Sequence, residues 1–257
     1  MIKVAFFDID GTLLSHKSRS VPQSARRALD RLREQGILCV AATGRQIMEM
    51  DKLPSADLPL DGYITLNGQL LLDRDRNLIH AVPVTGEVKE FLLRAFDDHT
   101  FPVTIVERDR MYVNFVNDLV RDVHTSLSSE TPLVGRYTGR EIYQVCCYML
   151  DRDKYLLDPI AEQSVMSRWH YGGYDVIAKG GGKVRGIQKF MDLHGLTREE
   201  IIAFGDGEND VEMLGFAGIG IAMGNGMADA KAAADYVTAD IDDDGIAKAL
   251  QHFGLIE

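Results

Sequence analysis

The 257 residues are 46% apolar and 26% charged, with 28 basic against 39 acidic side chains and a net charge of −11. That composition fits a globular protein with a sizeable core, and its acidic sign argues against a nucleic-acid or anionic-membrane partner. Apolar runs fall short of a membrane span, Met1 leads straight into a strand-like segment, and Cys39, Cys146 and Cys147 have no metal-type spacing, so a reduced, cytoplasmic setting is expected.

In chain order, residues 3–8 read as a buried strand. Residues 22–35 read as a helix with Ala25, Leu29 and Leu32 on its apolar face, Ser20 as its cap and Gly36 as its end. ILCVAATG (37–44) is a second buried strand, followed by a helix over 45–53 and by the strand-like GYITLNG (62–68) and QLLLD (69–73). Strand–helix–strand alternation predicts a parallel sheet with crossovers. After about residue 82 the texture changes. Residues 87–99 form an amphipathic helix, 101–109 and 110–118 read as antiparallel strands about Asp109, and 141–150 as a further strand. A short helix over 152–162 and a closing strand pair, 164–170 with 174–179, complete an α+β insert. From Lys183 the first texture returns: a helix over 183–195, a buried strand ending in acids (201–210), then short helices and strands to a last helix at 245–254. The predicted fold is thus α/β. A parallel core (1–82 and 183–257) is interrupted by an α+β domain (83–182).

Strand ends on one edge of an open parallel sheet form the usual ligand crevice. Three apolar strands here end in chemistry-bearing residues. The first gives Asp8 and Asp10, the second Thr43-Gly44-Arg45, and a later one Asp206, Glu208, Asn209 and Asp210. Adjacent carboxylates repel unless a cation sits among them, and an all-oxygen set suits Mg²⁺, which shares its shell with substrate phosphate. A carboxylate beside Mg²⁺ and phosphate can act as a nucleophile. A second acid must protonate the leaving alkoxide and then activate water, and Asp10, two residues on, is the candidate. Lys183 can add positive charge, and the Thr43 hydroxyl and glycine-turn N–H groups can hold phosphate oxygens. Taken singly these residues have plainer readings: a capped turn for Asp8 and Asp10, a solvated first-turn lysine for Lys183, and a surface cation for Arg45. Thr43 alone reads equally as a helix cap. Acids repeated at the end of a second buried strand argue against the capped turn.

FFDIDGTLL, ATGR (42–45), Lys183 after the insert and FGDGENDVEML (204–214) resemble the four signatures of the haloacid dehalogenase-like hydrolases. LNG (66–68), MGNG (223–226) and ADYVTADIDDDGI (234–246) are similar to the Cof-type, class IIB branch. The resemblance implies a Rossmann-like, doubly wound parallel core, with Asp8 as nucleophile and Asp10 as general acid/base. It implies a Mg²⁺ held by the Asp8 carboxylate, the Asp10 carbonyl and Asp206, with Asp210 in support. Thr43, Gly44, Lys183 and Asn209 would bind the phosphoryl group. The branch commonly has Gly after the lysine, whereas Val184 follows here, so Lys179 stands as a second candidate. The expected activity is hydrolysis of small phosphomonoesters such as sugar phosphates, phosphorylated cofactors or nucleotides. A phosphomutase on the same scaffold and a non-catalytic sugar-phosphate sensor are the alternatives. The insert would be a cap that chooses the leaving group, with Arg168, Trp169, His170, Tyr171 and Tyr174 as candidates beside a packing role.

Overall fold

The computed structural model describes residues 1–127 and 129–257. The chain divides into two compact units, Met1–His80 with Gly182–Glu257, and Ala81–Gly181. The first segment runs β1 (Val4–Phe7), α1 (Gln23–Glu34), β2 (Leu38–Ala42), α2 (Ile47–Met50), β3 (Gly62–Thr65), β4 (Leu70–Asp73) and β5 (Leu78–Ala81). The inserted unit holds α3 (Gly86–Asp97), β6 (Val103–Val106), β7 (Met111–Val113), α4 (Asp118–Ser126), β8 (Gln144–Cys147), β9 (Ser164–His170) and β10 (Gly173–Ala178). The last segment runs α5 (Lys183–His194), β11 (Ile201–Gly205), α6 (Val211–Phe216), β12 (Ile219–Ala222), α7 (Ala228–Ala233), β13 (Tyr236–Val237) and α8 (Gly245–His252).

The first unit is built on an eight-stranded sheet in the order β13-β12-β11-β1-β2-β3-β4-β5. Strands from β13 to β3 are parallel, and β4 turns back antiparallel on β3. The central strands read as continuous apolar runs because both faces are covered. Ala5 and Phe7 point into one core with Leu29, Leu32, Cys39 and Phe204. Val4 and Phe6 point into the other with Ile64, Ile187, Phe190 and Ala203. Phe7 stacks on Phe204 at 4.9 Å between ring centres, and Phe6 meets Phe190 edge-on at 5.6 Å. β1 lies between β2, its successor, and β11, which returns roughly 200 residues later. The strand order therefore reverses at β1, which is where open α/β sheets make their crevice.

The inserted unit is a five-stranded antiparallel sheet, β7-β6-β8-β10-β9. α3 covers one face through Val88, Leu92 and Phe96 against Val103, Val145 and Tyr174. α4 covers the other through Val120 and Val123 against Val113 and Tyr148. Among the described residues no helix is long and apolar enough to cross a membrane.

Several local expectations are corrected. Ser20 does not cap α1: Pro22, with φ −55°, precedes the first turn, and the Ser20 hydroxyl pairs with Ser18 instead. The helix expected over 45–53 shrinks to the single turn of α2, opened by Glu49 accepting the Gln46 N–H at 3.0 Å. Residues 110–118 are not one strand; β7 stops at Val113, and Asn117 starts α4 by accepting the Val120 N–H. Residues 151–160 wind as 3-10 turns around Pro159, which has no N–H to donate.

Candidate active site

The predicted site residues of the first unit gather at the carboxyl ends of β1, β2 and β11 and the start of α5. The Asp8 N–H makes the last ladder bond of β1, to the Phe204 carbonyl at 2.9 Å, which fixes Asp8 beside the β11 end. Lys183, the first residue of α5, is 2% exposed. Its ammonium donates to Asp8 Oδ1 at 2.5 Å and to Asp210 Oδ1 at 2.6 Å. The other Asp210 oxygen accepts the Asp206 and Gly207 N–H groups, each at 2.9 Å, and so shapes the loop that presents Asp206. The Thr12 hydroxyl donates to Asp206 Oδ1 at 2.8 Å. Gly11 is required between these acids: its φ is +84°, and a Cβ there would lie 2.2 Å from the Asp206 carboxylate.

Carboxylate oxygens of Asp8, Asp206 and Asp210 lie within 4.8 Å of one another. Burial pushes Asp8 well above the usual carboxylate range; Lys183 opposes this, and Asp210, Asp206 and Asp10 add to it. Burial and then Asp210 push Asp206 up to about 7, against the Thr12 hydrogen bond. Burial alone would lower Lys183, but Asp210 and Asp8 outweigh it and keep the ammonium charged. Three acids facing one cation leave the cluster short of positive charge, which is the condition a divalent ion satisfies.

The Asp10 carboxylate is not part of that cluster, which leaves its backbone carbonyl as the expected metal contact. Its carboxylate sits in the Arg45 guanidinium fork at 2.5 and 2.8 Å. Burial disfavours the Arg45 charge, but the bonds to Asp10 more than compensate and raise its pKa. Arg45 is therefore paired and not a plain surface cation; its partner is 35 positions away, so no local pattern reveals the pair. Thr43 is 1% exposed and its hydroxyl accepts the Arg45 N–H at 3.1 Å. Gly44 follows it, with the Asn67 amide close to where a Cβ would stand. The Asn209 amide donates to Asn67 Oδ1 at 2.9 Å. Lys179 is exposed just after β10, in the inserted unit, whereas Lys183 holds the two acids.

In the inserted unit Tyr174 is buried in the α3-side core with its hydroxyl on Asp151, and Trp169 packs edge-on against Tyr148. Both have the packing role. Arg168 pairs with Asp151 at 2.8 Å, the His170 ring faces the Ser126 hydroxyl, and Tyr171 is exposed.

A family model for haloacid dehalogenase-like hydrolases matches residues 5–250, nearly the whole chain. The chain belongs to the haloacid dehalogenase-like hydrolase family. Over its full length this hydrolase is similar to BT1666 from Bacteroides thetaiotaomicron, described among the family's phosphatases. Identity is 34% and the TM-score 0.91, covering 100% of this chain and 96% of that one. It is 35% identical, with a TM-score of 0.87, to BT4131, described as a subclass IIB sugar phosphatase, over 99% of this chain and 100% of that one. It is 28% identical to the 5-amino-6-(5-phospho-D-ribitylamino)uracil phosphatase YitU of Bacillus subtilis (strain 168), over 96% of this chain and 95% of YitU. This hydrolase is a phosphatase of that family.

Proposed function

We propose that this phosphatase is Mg²⁺-dependent and hydrolyses small soluble phosphomonoesters, sugar phosphates, phosphorylated cofactors or nucleotides, through a phosphoryl group carried on Asp8. The observation that carries the reading is the Asp8–Asp206–Asp210 cluster, within 4.8 Å, two of its acids sharing one buried ammonium. Its donors are all hard oxygens, and the Asp206 proton would give way to a cation, so the residues fit Mg²⁺. Asp8 and Asp206 would hold the ion with the Asp10 carbonyl. Asp210, whose side chain already accepts three bonds, would support it by fixing Asp206 and Lys183. Bound there, the ion screens phosphate charge from the nucleophile and polarises the phosphoryl group.

A carboxylate oxygen of Asp8 attacks phosphorus while the bond to the ester oxygen breaks. Asp10 delivers a proton to that leaving oxygen, which requires its carboxyl to leave the Arg45 fork. Asp10 then takes a proton from the water that opens the aspartyl-phosphate, returning Asp8 and releasing inorganic phosphate. Lys183, the Thr43 hydroxyl, the Gly44 N–H and the Asn209 amide bind the phosphoryl oxygens. The substrates named for BT4131 and YitU support small phosphorylated metabolites.

The test is phosphate release from a panel of phosphomonoesters, with Mg²⁺ and with chelator, for the native chain and Asp8→Asn. Release that needs both the ion and Asp8 is expected. Full turnover in Asp8→Asn removes Asp8 as nucleophile, and conversion of a hexose phosphate to its isomer without phosphate release points to a phosphomutase.

A further inference from the structure

Leu66, Asn67 and Gly68, between β3 and β4, take left-handed backbone in succession, with φ of +52°, +52° and +89°. Glycine adopts such angles freely and asparagine tolerates them, whereas Leu66, 1% exposed, is strained there. Three polar groups of Asn67 in this turn tie down three different loops. Its N–H donates to the Thr43 carbonyl at 3.0 Å, its carbonyl accepts the Gly182 N–H at 3.0 Å, and its side-chain Oδ1 accepts Asn209 Nδ2 at 2.9 Å. The Leu66 N–H adds a bond to the Arg45 carbonyl at 3.2 Å. Gly68 is wedged in place, since a Cβ there would lie 2.1 Å from the Gly182 carbonyl oxygen. One tight turn thus joins the end of β2, the start of α5 and the loop after β11.

We propose that Asn67 is a positioning residue for phosphoryl binding. It aims the Asn209 amide through its side chain and locks the Thr43 loop to the Lys183 helix through its backbone. This rests on the reading of Thr43, Lys183 and Asn209 as the phosphoryl-binding group. An amide held by one N–H on Asn67 has a fixed plane, so its other N–H meets a phosphate oxygen without first losing rotational freedom. Left-handed backbone is what lets a single residue reach three loops, and it limits the position to asparagine, aspartate or glycine.

The experiment measures KM for p-nitrophenyl phosphate and competitive inhibition by inorganic phosphate, with Mg²⁺ present. Asn67→Gly keeps the left-handed backbone and deletes only the amide. Both constants should rise three- to ten-fold, the loss of about one hydrogen bond's worth of orientation, with kcat changing less than KM. Asn209→Ala should show the same rise alone, but less than a further two-fold when added to Asn67→Gly. Asn67→Asp retains both the acceptor and the backbone preference, so when Asn209→Ala is added to it the full three- to ten-fold cost should return. Equal cost of Asn209→Ala in the native chain and on top of Asn67→Gly, or no cost on top of Asn67→Asp, overturns the proposal. Asn209→Ala with unchanged phosphate inhibition brings down the phosphoryl-binding reading of Asn209 and this proposal together. A loss in Asn209→Ala with a silent Asn67→Gly retires Asn67 alone.

Discussion

Replacing Lys183 by methionine removes the one ammonium that two buried acids share while nearly preserving its volume. Nζ lies 2.5 Å from Asp8 and 2.6 Å from Asp210, and all three side chains are at least nine-tenths buried. Breaking a buried ion pair by deleting one partner costs about 3–5 kcal/mol. Here two acids lose their partner at once, which points to the upper part of that range. At about 2–4 °C per kcal/mol for a chain of this size, a loss of about 4–5 kcal/mol should lower the melting temperature by roughly 8–20 °C. The assay is thermal unfolding of the native chain and Lys183→Met in chelator across pH. A carboxyl raised in the folded state weakens the fold as pH climbs above its unfolded value near ~4. Asp8 is already raised by burial and loses the ammonium that opposed it. The gap should therefore be widest near pH 8, where the ionised acid is most penalised, and should narrow toward pH 5. Asp210→Asn added to Lys183→Met should recover part of the loss, since one uncompensated charge goes with it. A gap below about 2 °C at neutral pH, or one that widens on acidification, refutes the reasoning.

Mg²⁺ affinity should fall with acidity, because Asp206, pushed up to about 7, must shed a proton to ligate; about ten-fold is lost per pH unit below 7. Titration calorimetry at pH 5, 6 and 7.5 checks this, and a flat profile rules it out. Gly11→Ala should lower turnover by more than about 100-fold, because its Cβ displaces the Asp206 carboxylate. Gly36→Ala, also left-handed but with nothing within 4 Å, should cost only about 1 kcal/mol in a melting assay and leave kcat alone. Cys39, pushed up to about 12 by burial and then Asp61, and Cys147, raised by burial and then Asp175, should resist iodoacetamide at pH 8. Mass spectrometry showing rapid native-state labelling at either would contradict their placement.

The parallel core was legible because its central strands are apolar on both faces and end abruptly in acids, so VAFF and IIAF declare both their burial and their crevice edge. The inserted unit was legible as α+β from hairpin-length spacing. α4 was not: the strand-like MYVNFVND supplies only Asp118 of the helix, whose Asn117 cap and buried Val120 and Val123 emerge in the fold. At the site, the identities of Asp8, Asp206, Lys183 and Asn209 could be read from motifs. The depth of Lys183 could not: its partners are 175 and 27 positions away, and a first-turn lysine by itself looks solvated. The Arg45–Asp10 fork and the Asn67 hub are hidden for the same reason, being made by loops that meet only once the sheet is assembled.

The place of β1 between β2 and β11 has a consequence for synthesis. Val4 finds its second neighbour only at Ile201, while every strand of the other sheet lies between residues 103 and 178. At 5–20 residues per second, a ribosome leaves one flank of β1 without hydrogen-bonding company for roughly 10–40 s. Asp8 at its tip, waiting most of that while for Lys183, then serves as a deterrent to wrong pairing, because an edge that ends in bare negative charge is a poor template for another nascent strand.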